Sequence, residues 1–484
     1  MASEDLQRIL NRILDDEELN RQPDADSGMP AVCMHSDQEL YDWIEERKSH
    51  LSVALSMVSP SDCSPWRYDE EEGCIRNEAG SFFKIYGARW TYTDDNGETV
   101  TVEQPIIEQD EIGFLGILCC KYQGEWHYLM QAKIEPGNVN VVQLSPTLQA
   151  TKSNFTQAHG GKKPMFLEYF TQMSPENIIV DQIQSEQSSR FLRKRNRNVI
   201  LKIDDMLDEP SSHRWMTLSQ IKGMMHHDNL VNMDTRTVLS CIPYVLMGQE
   251  GDAPFKNKSY FYKTAWSLNR QTIAEIYHEI NDYKMFAMPK VEKLPLSELK
   301  GWQFTDMDYS CTGRYPFRVV FCDINIEGRE VTHWRQPLFA ANGMALFGLL
   351  CCDDNGVMKF LVKVRPEIGC FDGIEIGPTV QREAIESDKA WEGLSDSELD
   401  YPEQVFIRKL REGRDIIADA ILSEEGGRFY QEENRNTIIF VDKDELGEIP
   451  KGYIWSDYGT LNILTQVNNC LNIQLRNLLS LVEV

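Results

Sequence analysis

The chain contains the same sequence twice, and this duplication limits the folds that it can adopt. Gly116-Ile-Leu-Cys-Cys120 matches Gly348-Leu-Leu-Cys-Cys352, which begins 232 residues later. Pro146-Thr147 and Pro378-Thr379 are separated by the same offset. Such a period is far longer than the unit of a solenoid, so it indicates two copies of a whole domain. We therefore expect two domains of one fold, related by a pseudo-twofold axis.

The repeats and their flanks divide the chain into four parts. The matches place the first repeat at 37–242 and the second at 273–484, with a connector at 243–272 and an acidic leader at 1–36. Each repeat mixes short alternating runs with runs of helical period, which predicts a mixed α/β (α+β) class. In the first repeat we expect strands at 82–92, 113–121, 126–135 and 197–203, and helices at 216–226 and 230–242.

Composition excludes several classes of protein. The 484 residues include 76 acidic and 49 basic side chains, a net charge of −27, so the surface repels nucleic acids and anionic membranes. No run of about 18 apolar residues occurs, and the amino terminus lacks the features of a signal peptide. The twelve cysteines contain no C-x-x-C pair, which favours reduced core residues. We expect a soluble cytoplasmic protein that binds neither nucleic acid nor membrane.

Polar and apolar residues alternate in the predicted strand at 126–135. On a strand of period two, Gln131, Lys133 and Glu135 share one face. The second repeat keeps a cation and a carboxylate over 363–367. A half-exposed strand without special function has the same pattern, so this stretch alone does not decide between a ligand site and ordinary packing.

The stretch that follows carries uncharged hydrogen-bonding side chains at alternate positions. A solvated face would normally carry lysine and glutamate, whereas neutral donors and acceptors suit a polyhydroxylated ligand such as a sugar. We therefore expect one side of a binding site to be lined by Gln143, Ser145, Thr147, Gln149, Thr151 and Ser153.

Residues 190–197 concentrate five cations in a strongly acidic chain. On a strand, Arg193, Arg195 and Arg197 would share a face, and guanidinium groups at that spacing suit the oxygens of a diphosphate. We expect these three and Arg190 to bind such a group. A solvated basic turn is the alternative.

Longer strings identify a family. Gln131-Ala-Lys-Ile-Glu-Pro-Gly-Asn138 and the string at 142–154 resemble the NDP-hexose 2,3-dehydratases of deoxysugar biosynthesis. The resemblance covers nearly the whole chain, including the duplication. Further matching strings are Ser185-Glu186-Gln187, Arg193-Lys-Arg-Asn-Arg-Asn198, Arg214-Trp-Met-Thr-Leu218 and residues 228–236.

The resemblance implies that each repeat is a Nudix-like domain, that the protein is a homodimer, and that it uses no metal or redox cofactor. The second repeat reads Lys363-Val-Arg-Pro-Glu-Ile-Gly-Cys370 where the family has a Q-A-K-x-E-P-G-N string. We therefore expect the active site in the first repeat. The second would be a degenerate copy that serves as a scaffold or as a secondary nucleotide site.

A Nudix hydrolase needs a helix of the form G-x5-E-x7-R-E-U-x-E-E-x-G-U, whose clustered glutamates hold divalent cations. The first repeat contains no such string. The second comes nearest with Gly369 and Glu375, but Arg382-Glu383 arrives one residue early and the paired carboxylates are missing. The sequence therefore disfavours a metal-dependent hydrolase, and we expect no metal site.

The resemblance also implies a substrate and a reaction. The family acts on nucleoside-diphosphate 4-keto-6-deoxyhexoses, typically the dTDP-glucose derivative. A base removes the C3 proton beside the ketone, the C2 hydroxyl leaves as water, and the enol becomes a 3,4-diketo-2,6-dideoxy sugar. The ketone is present from the start, so no cofactor is needed. Because the product is labile, a partner 3-ketoreductase is expected.

Four side chains are candidates for the chemistry. We expect Glu135 to be the base, and Lys133 beside it either keeps the carboxylate ionised or stabilises the enolate. His159 carries a ring that titrates near neutral pH, although a loop histidine is more often incidental. Tyr169 is a further candidate acid, and its neighbours fit helix packing equally well.

Other side chains are candidates for holding the nucleotide sugar. Trp66 or Tyr86 could stack on the base, but Trp66 recurs as Trp302, which favours packing. Asn138 and Asn154 end the two family strings and are candidate sugar ligands.

A catalytically silent nucleotide-sugar binding protein is the alternative from another functional class. Such a protein has little need for Lys133 and Glu135 beside the neutral side chains, so the intact string of the first repeat favours the lyase. A metal-dependent hydrolase is a distant third.

Overall fold

The computed structural model of the chain describes residues 32–50, 52–94, 96–151, 163–244, 262–327, 331–385 and 387–482. Within these ranges the strands form four sheets, two of seven strands and two of five, and helices pack on them. The mixed α/β class predicted from the sequence is therefore confirmed. No helix in the described ranges is long and apolar enough to cross a bilayer.

The first repeat begins with helix α1 (Asp37–Ser49), whose start is fixed by a capping box of Ser36 and Glu39. Its strands are β1 (Val53–Met57), β2 (Trp66–Asp69), β3 (Cys74–Asn77), β4 (Lys84–Thr93), β5 (Thr99–Glu108), β6 (Gly113–Tyr122), β7 (Glu125–Ile134), β8 (Val142–Ser145), β9 (Leu148–Ala150), β10 (Ile178–Ser185), β11 (Arg195–Lys202) and β12 (His213–Thr217). Its other helices are α2 (Leu167–Thr171), α3 (Leu218–Met225) and α4 (Met233–Ser240).

The second part of the chain repeats this order of elements. Its helices are α5 (Tyr262–Ala265), α6 (Arg270–Phe286), α7 (Tyr401–Glu412), α8 (Tyr458–Leu464) and α9 (Ile473–Leu481). Its strands are β13 (Lys290–Leu294), β14 (Trp302–Phe304), β15 (Asp308–Cys311), β16 (Phe317–Ile326), β17 (His333–Ala341), β18 (Ala345–Asp354), β19 (Val357–Pro366), β20 (Ile374–Gly377), β21 (Val380–Arg382), β22 (Ile416–Ser423), β23 (Glu433–Phe440) and β24 (Tyr453–Asp457).

The two seven-stranded sheets have the same topology. The first runs β10-β11-β6-β7-β12, with β8 paired to β7 and β9 to β6. The second runs β22-β23-β18-β19, with β20 and β24 paired to β19 and β21 to β18. In both sheets one pair is parallel, β11 with β6 and β23 with β18. The duplication seen in the sequence is thus a duplication of structure.

The predicted elements of the first repeat occur close to their expected positions. The strands expected at 82–92, 113–121, 126–135 and 197–203 are β4, β6, β7 and β11, and the two predicted helices contain α3 and α4. The helix starts follow from local sequence, because Thr217 and Gln220 form a capping box at α3 and Asn232 caps α4.

The two repeats exchange a strand with each other. β1 of the first repeat pairs with β16 of the second, from Val53 opposite Ile326 to Met57 opposite Cys322. In return, β13 of the second repeat pairs with β4 of the first. Each five-stranded sheet therefore contains four strands of one repeat and one strand of the other. This reciprocal exchange joins the repeats into one body.

Two buried arginines reinforce the junction where α4 packs against α9. Nη2 of Arg236 donates to the carbonyl of Ser423, 2.9 Å away in the second repeat. In the symmetric position, Nη2 of Arg476 donates to the carbonyl of Ser185 at 2.5 Å. Both arginines are 1% exposed, so each guanidinium satisfies a buried carbonyl of the other repeat.

Two glycines allow the backbones of the repeats to touch. The amide of Gly137 donates to the carbonyl of Gly426 at 2.7 Å, and the amide of Gly369 donates to that of Ser188 at 2.9 Å. A Cβ on Gly137 would lie 1.6 Å from a backbone oxygen of the second repeat, and a Cβ on Gly369 1.8 Å from the carbonyl oxygen of Phe191. Only glycine fits at these two contacts.

We expect Gly369→Ala to lower the free energy of unfolding by about 1–3 kcal/mol, because the new methyl group forces two backbones apart. Urea unfolding followed by tryptophan fluorescence measures this change. Gly223→Ala in α3 is the matched control, since a Cβ there meets nothing within 4 Å. Equal stability of Gly369→Ala and the parent protein would contradict the close contact.

Candidate functional site

Glu135 lies at the end of β7, where the chain turns towards the second repeat. The amide of Asn138 donates to the carbonyl of Glu135 at 3.2 Å and closes the turn. The side chain of Glu135 is 6% exposed. Its Oε1 accepts from Lys133 Nζ and from Gln149 Nε2, each at 3.0 Å. The structure thus brings Lys133 and Glu135 together as expected and holds the carboxylate with two donors.

A line of hydrogen bonds connects Glu135 to the start of α4. Asn232 Nδ2 donates to Ser145 Oγ at 2.7 Å, and that hydroxyl donates to Gln149 Oε1 at 3.1 Å. The Oδ1 of Asn232 caps the helix by accepting from the amide of Thr235 at 2.8 Å. Since Gln149 in turn donates to Glu135, the helix cap fixes the position of the carboxylate.

The stretch of alternating polar side chains that begins at Gln143 was expected to form one strand. That prediction is wrong, because the strand ends before Pro146. The residues before it form β8 on β7, and those after it form β9 on β6. Thr147 lies in the break, where its hydroxyl bonds the carbonyl of Leu129 and accepts from the amide of Leu118. Thr379 does the same in the second repeat, so Thr147 has a structural role.

Ser145 and Gln149 of this stretch stay together beside Glu135, whereas the other side chains lie elsewhere. Gln143 points to the second repeat, where its Nε2 donates to Ser423 Oγ at 2.6 Å. Gln131 lies opposite Ser145 in the β7–β8 register, and Thr151 follows β9. Three predicted site residues, Ser153, Asn154 and His159, lie outside the described residues.

Asn138 belongs to the contact between the repeats. Its Nδ2 donates to the carbonyl of Val141 at 3.2 Å, while its buried Oδ1 has no hydrogen-bond partner. A Cβ on Gly426 would lie 2.3 Å from that oxygen and 2.9 Å from Glu135 Cβ. A loop of the second repeat therefore forms part of the wall beside Glu135.

Asp234, in the first turn of α4, is a candidate that the sequence analysis did not select. It is 2% exposed, and its Oδ1 has no hydrogen-bond partner. Burial raises the pKa of Asp234 well above its usual range, and the carboxylates of Glu186 and Glu135 act in the same direction. Its surroundings therefore favour the protonated form of the carboxyl group over the ionised form. The second repeat has Gln474 at the matching position, and that difference was the available signal.

Lys194 and Glu425 complete the charged surroundings. Burial lowers the pKa of Lys194 to about 8, with Glu186 opposing the shift. Burial also raises the pKa of Glu425, from the second repeat, to about 7, and Glu135 contributes in the same direction. The candidate site thus lies where the repeats meet, and burial shifts the pKa values of Lys194 and Glu425 towards neutral pH.

The basic stretch does not form the single cationic face that we predicted. Arg190 is 1% exposed and forms an ion pair with Glu383 of the second repeat at 3.0 Å. Arg193 has a φ of 55° and precedes β11, so it shares no strand face with the next arginines.

The remaining two arginines have partners within the protein. Arg195 stacks on Phe371, with its Cζ 3.8 Å from the ring centroid. Arg197 donates through Nε and Nη2 to both carboxylate oxygens of Asp181, each at 2.6 Å. The prediction of one strand face for all three is therefore wrong for Arg193, while Arg195 and Arg197 lie at alternate positions of β11 and each has a partner within the protein.

The aromatic candidates have packing roles in the described structure. Trp66 is 4% exposed and lies in a core cluster with Trp302, which confirms the packing alternative. The hydroxyl of Tyr86 donates to Glu72 at 3.2 Å, and Lys293 lies 4.8 Å from its ring centroid. Tyr169, in α2, packs against the apolar cluster of Leu129 and Trp215.

The second repeat keeps the line of hydrogen bonds from helix cap to glutamate but has different residues at the two ends of that line. Gln381 Nε2 donates to Glu367 at 2.9 Å, and Asn472 donates to Gln381 at 2.9 Å. Arg365 replaces Lys133 and donates to the carbonyls of Pro378 and Thr379 at 3.0 and 2.8 Å. The cation of this repeat is therefore hydrogen-bonded to backbone, and its ion pair is with Glu403 at 3.9 Å rather than with Glu367.

The described residues contain no group of three or more histidine, cysteine, aspartate or glutamate side chains arranged to hold a metal ion. Glu375 lies in β20 and Glu383 follows β21, so neither belongs to a helix. The string that most resembles a metal-binding Nudix helix in the sequence therefore forms a strand and a loop.

Comparison with known proteins shows the family of the chain. A family model described as NDP-hexose 2,3-dehydratase matches residues 37–242 and 273–482. A dTDP-4-dehydro-6-deoxy-alpha-D-glucopyranose 2,3-dehydratase of Saccharopolyspora spinosa is 34% identical over 447 residues, which cover 91% of this chain and 90% of that protein. A protein of the same description from Amycolatopsis orientalis is 34% identical over 446 residues, 91% and 89% of the two chains.

The chain is therefore an enzyme of the hydro-lyase class, a dehydratase built from two repeats. It belongs to the NDP-hexose 2,3-dehydratase family, as the strings in its sequence indicated.

Buried carboxyl groups at the junction make stability depend on pH. Glu375 is 1% exposed and accepts from Ser185 Oγ at 2.7 Å across the repeats. Burial raises its pKa from 4.5 to about 8, although the hydrogen bond from Ser185 acts in the opposite direction. Between these values the folded protein holds a proton that the unfolded chain has released. Stability from this group is thus present below the lower value and lost as the pH rises towards 8.

We expect Glu375→Gln to make the protein less sensitive to alkaline pH. The free energy of unfolding of the parent should fall relative to that of the variant between pH 5 and 8, by at most about 1.4 kcal/mol per pH unit for one proton. Urea titrations at several pH values measure this difference. Glu392→Gln, on the exposed surface, controls for the loss of one carboxylate. A constant difference between parent and Glu375→Gln would contradict a buried, protonated Glu375.

Proposed function

We propose that this enzyme removes water from dTDP-4-keto-6-deoxyglucose between C2 and C3. The observation that carries this proposal is the Lys133–Glu135 pair at 3.0 Å, held by the hydrogen-bonded line from α4 within the repeat that keeps the family string. The named activity of the relatives from Saccharopolyspora and Amycolatopsis supports the same substrate. A catalytically silent binder would gain nothing from this pair.

The reaction requires a base, an acid and a stabiliser of negative charge. Glu135 takes the proton from C3, and the electrons of that bond form an enolate whose charge lies on the 4-oxygen. The enolate then expels the C2 hydroxyl, which leaves as water after it is protonated. The C2–C3 double bond and the C3 hydroxyl form an enol, which becomes the 3,4-diketo-2,6-dideoxy sugar.

We propose that Lys133, the nearest cation to Glu135, stabilises the negative charge that develops on the 4-oxygen. A partly buried ammonium group beside the reacting carbons stabilises an enolate more strongly than water does, because the surrounding dielectric is lower. The substrate brings its own ketone, so the elimination needs no redox cofactor, and we propose that it needs no metal ion.

Asp234 is our candidate for the acid. Its burial and its unpartnered Oδ1 favour a protonated carboxyl group, which can donate to the leaving hydroxyl. Only the first repeat has a carboxyl group at this position, because Gln474 replaces it in the second. We therefore propose that 37–242 carries the active site and that the repeat at 273–484 is degenerate, with 1–36 as leader and 243–272 as connector.

The wider setting follows from the same proposal. A Nudix-type fold for each repeat is supported by the mixed sheet with one parallel pair. We further propose that the protein is a homodimer, and that it works in the cytoplasm beside a 3-ketoreductase. The coupling to a reductase rests on the reactivity of the diketo product.

Deuterium exchange separates the two catalytic roles. In D2O, Glu135→Gln should abolish both exchange at C3 and loss of water, with turnover lower by about 10²–10⁴-fold. Asp234→Asn should block loss of water while C3 exchange continues, because the base and the enolate stabiliser remain. NMR of the C3 proton and mass spectrometry of the product measure the two steps.

Glu367→Gln is the matched control, since it changes the equivalent carboxylate of the second repeat. It should leave turnover nearly unchanged. If Glu367→Gln abolished turnover and Glu135→Gln did not, the active repeat would be the second. Full activity in Lys133→Ala and Glu135→Gln would remove the assignment of both.

The substrate itself is tested with the unmodified enzyme. We expect dTDP-4-keto-6-deoxyglucose to lose one water in the presence of EDTA and without added cofactor, and a 3-ketoreductase with NADPH to trap the product. Release of a nucleoside monophosphate that stops with EDTA would indicate a hydrolase. Binding of the sugar without any reaction would favour the silent binder.

A further inference from the structure

Arg428, from the second repeat, lies beside the proposed active site of the first. It belongs to the loop that follows Gly426, whose carbonyl bonds the amide of Gly137 at 2.7 Å, in the turn that starts at Glu135. Burial lowers the pKa of Arg428, and the carboxylates of Glu425 and Glu135 oppose that shift. The guanidinium and the proposed base therefore share one environment.

The guanidinium of Arg428 is held in place by neutral groups. Its Cζ lies 4.3 Å from the ring centroid of Phe83, its Nη1 donates to the carbonyl of Gly427 at 2.8 Å, and its Nη2 donates to Gln109 at 3.4 Å. The buried Nε has no hydrogen-bond partner. Four carboxylates act on Arg428 as neighbouring charges, those of Glu425, Glu135, Glu186 and Glu111. Among the described residues, however, none of these carboxylates forms a direct ion pair or hydrogen bond with it.

Arg190 is the symmetric residue, and its surroundings show what is missing around Arg428. Arg190 stacks on Phe317 at 4.0 Å, in the way that Arg428 stacks on Phe83. Its Nη2, however, binds a carboxylate oxygen of Glu383 at 3.0 Å. Glu432 also acts on Arg190 as a neighbouring charge. Arg190 of the first repeat is therefore neutralised by carboxylates of the second repeat.

The first repeat has no acid at either of these positions. The residue that matches Glu383 is Thr151, two places after Gln149, as Glu383 is two places after Gln381. The residue that matches Glu432 is Lys194, and both make the same backbone bond at 3.0 Å, to Glu424 and Glu186 respectively. The carboxylate that pairs directly with Arg190 is thus replaced by a neutral side chain, and the second neighbouring carboxylate by a cation. The carboxylates that do act on Arg428, with Glu425 first, form no direct pair with it.

We propose that Arg428 binds the diphosphate of the nucleotide sugar in the active site of the first repeat, taking an anionic oxygen of the substrate where Arg190 takes Glu383. This inference rests on the proposed function, because it requires a nucleoside-diphosphate substrate. A guanidinium suits phosphate oxygens through its fork of donors. The active site is then made by both repeats, and the arginine comes from the repeat that does not catalyse.

The diphosphate fits Arg428 better than the enolate does. The arginines of 193–197 that we expected to bind it stack, pair with Asp181 or precede the strand, so the three form no single face for it. Lys133 already lies 3.0 Å from the base and is placed for the 4-oxygen. The diphosphate carries permanent charge and requires a permanent cation, which a guanidinium provides at any physiological pH.

The test measures binding of dTDP to the full-length protein by isothermal titration calorimetry. Arg428→Gln should weaken dTDP binding by about tenfold or more, and Arg428→Lys should weaken it less, because charge is kept and the fork is lost. Thr151→Glu installs the carboxylate of the second repeat. It should weaken dTDP binding to a similar extent, while the midpoint of thermal unfolding is unchanged or higher.

Arg408→Gln is the matched control, because Arg408 is an exposed arginine of the same repeat that pairs with Glu445. It should bind dTDP as the parent does. If Arg428→Gln does not fold, Thr151→Glu decides the question, since it is expected to add an ion pair.

Three results would contradict the proposal in different ways. If the parent turns over the sugar while Arg428→Gln and Thr151→Glu bind dTDP normally, the inference fails and the proposed function stands. If Arg428→Gln lowers kcat without changing dTDP affinity, the arginine acts on the enolate instead. If the parent neither binds dTDP nor dehydrates the sugar, both the inference and the proposed function fail.

Discussion

The architecture depends on the reciprocal pairing of β1 with β16 and of β13 with β4. A strand that leaves its own repeat and completes the sheet of the other makes the two halves inseparable, since each would expose an unpaired edge alone. The backbone contacts at Gly137 and Gly369 lie on the same junction. The loop that carries Arg428 is held against the turn of Glu135 by this junction, so the exchange also determines the composition of the site.

The two repeats show how one scaffold can carry two charge patterns. The line from a helix cap through a glutamine to a glutamate occurs twice. The glutamine-to-glutamate distances are 3.0 and 2.9 Å, and the distances from the cap to the glutamine are 3.4 and 2.9 Å. What differs is the set of groups at its ends, where Lys133 becomes Arg365 and Asp234 becomes Gln474. The first repeat has the Lys133–Glu135 pair and the buried carboxyl group of Asp234, whereas the second hydrogen-bonds its cation to backbone carbonyls. The two repeats therefore share the same hydrogen-bonded frame but differ in the ionisable side chains at its ends.

Local sequence predicted the parts of the structure that depend on local interactions. The duplication, the main strands, the two helices expected at 216–226 and 230–242, and the meeting of Lys133 with Glu135 follow from spacing and periodicity. The strand exchange could not be predicted, because β1 is as compatible with one sheet as with the other. The partner of Arg190 could not be predicted for the same reason, since a side chain near the junction can contact either repeat. It pairs with Glu383 of the second repeat. Thr147 was misjudged because alternation predicts a face only while the strand continues, and Pro146 ends it.

The exchanged strands also bear on how such an enzyme can change over evolutionary time. In a symmetric pair of separate chains, every substitution appears at both sites, so a residue that is useful in one and harmful in the other cannot be kept. Joining the two halves in one polypeptide removes that constraint while the swapped edges preserve the assembly. Position 151 can then remain threonine while position 383 becomes glutamate, and one half becomes free to specialise as a supplier of binding groups to the other.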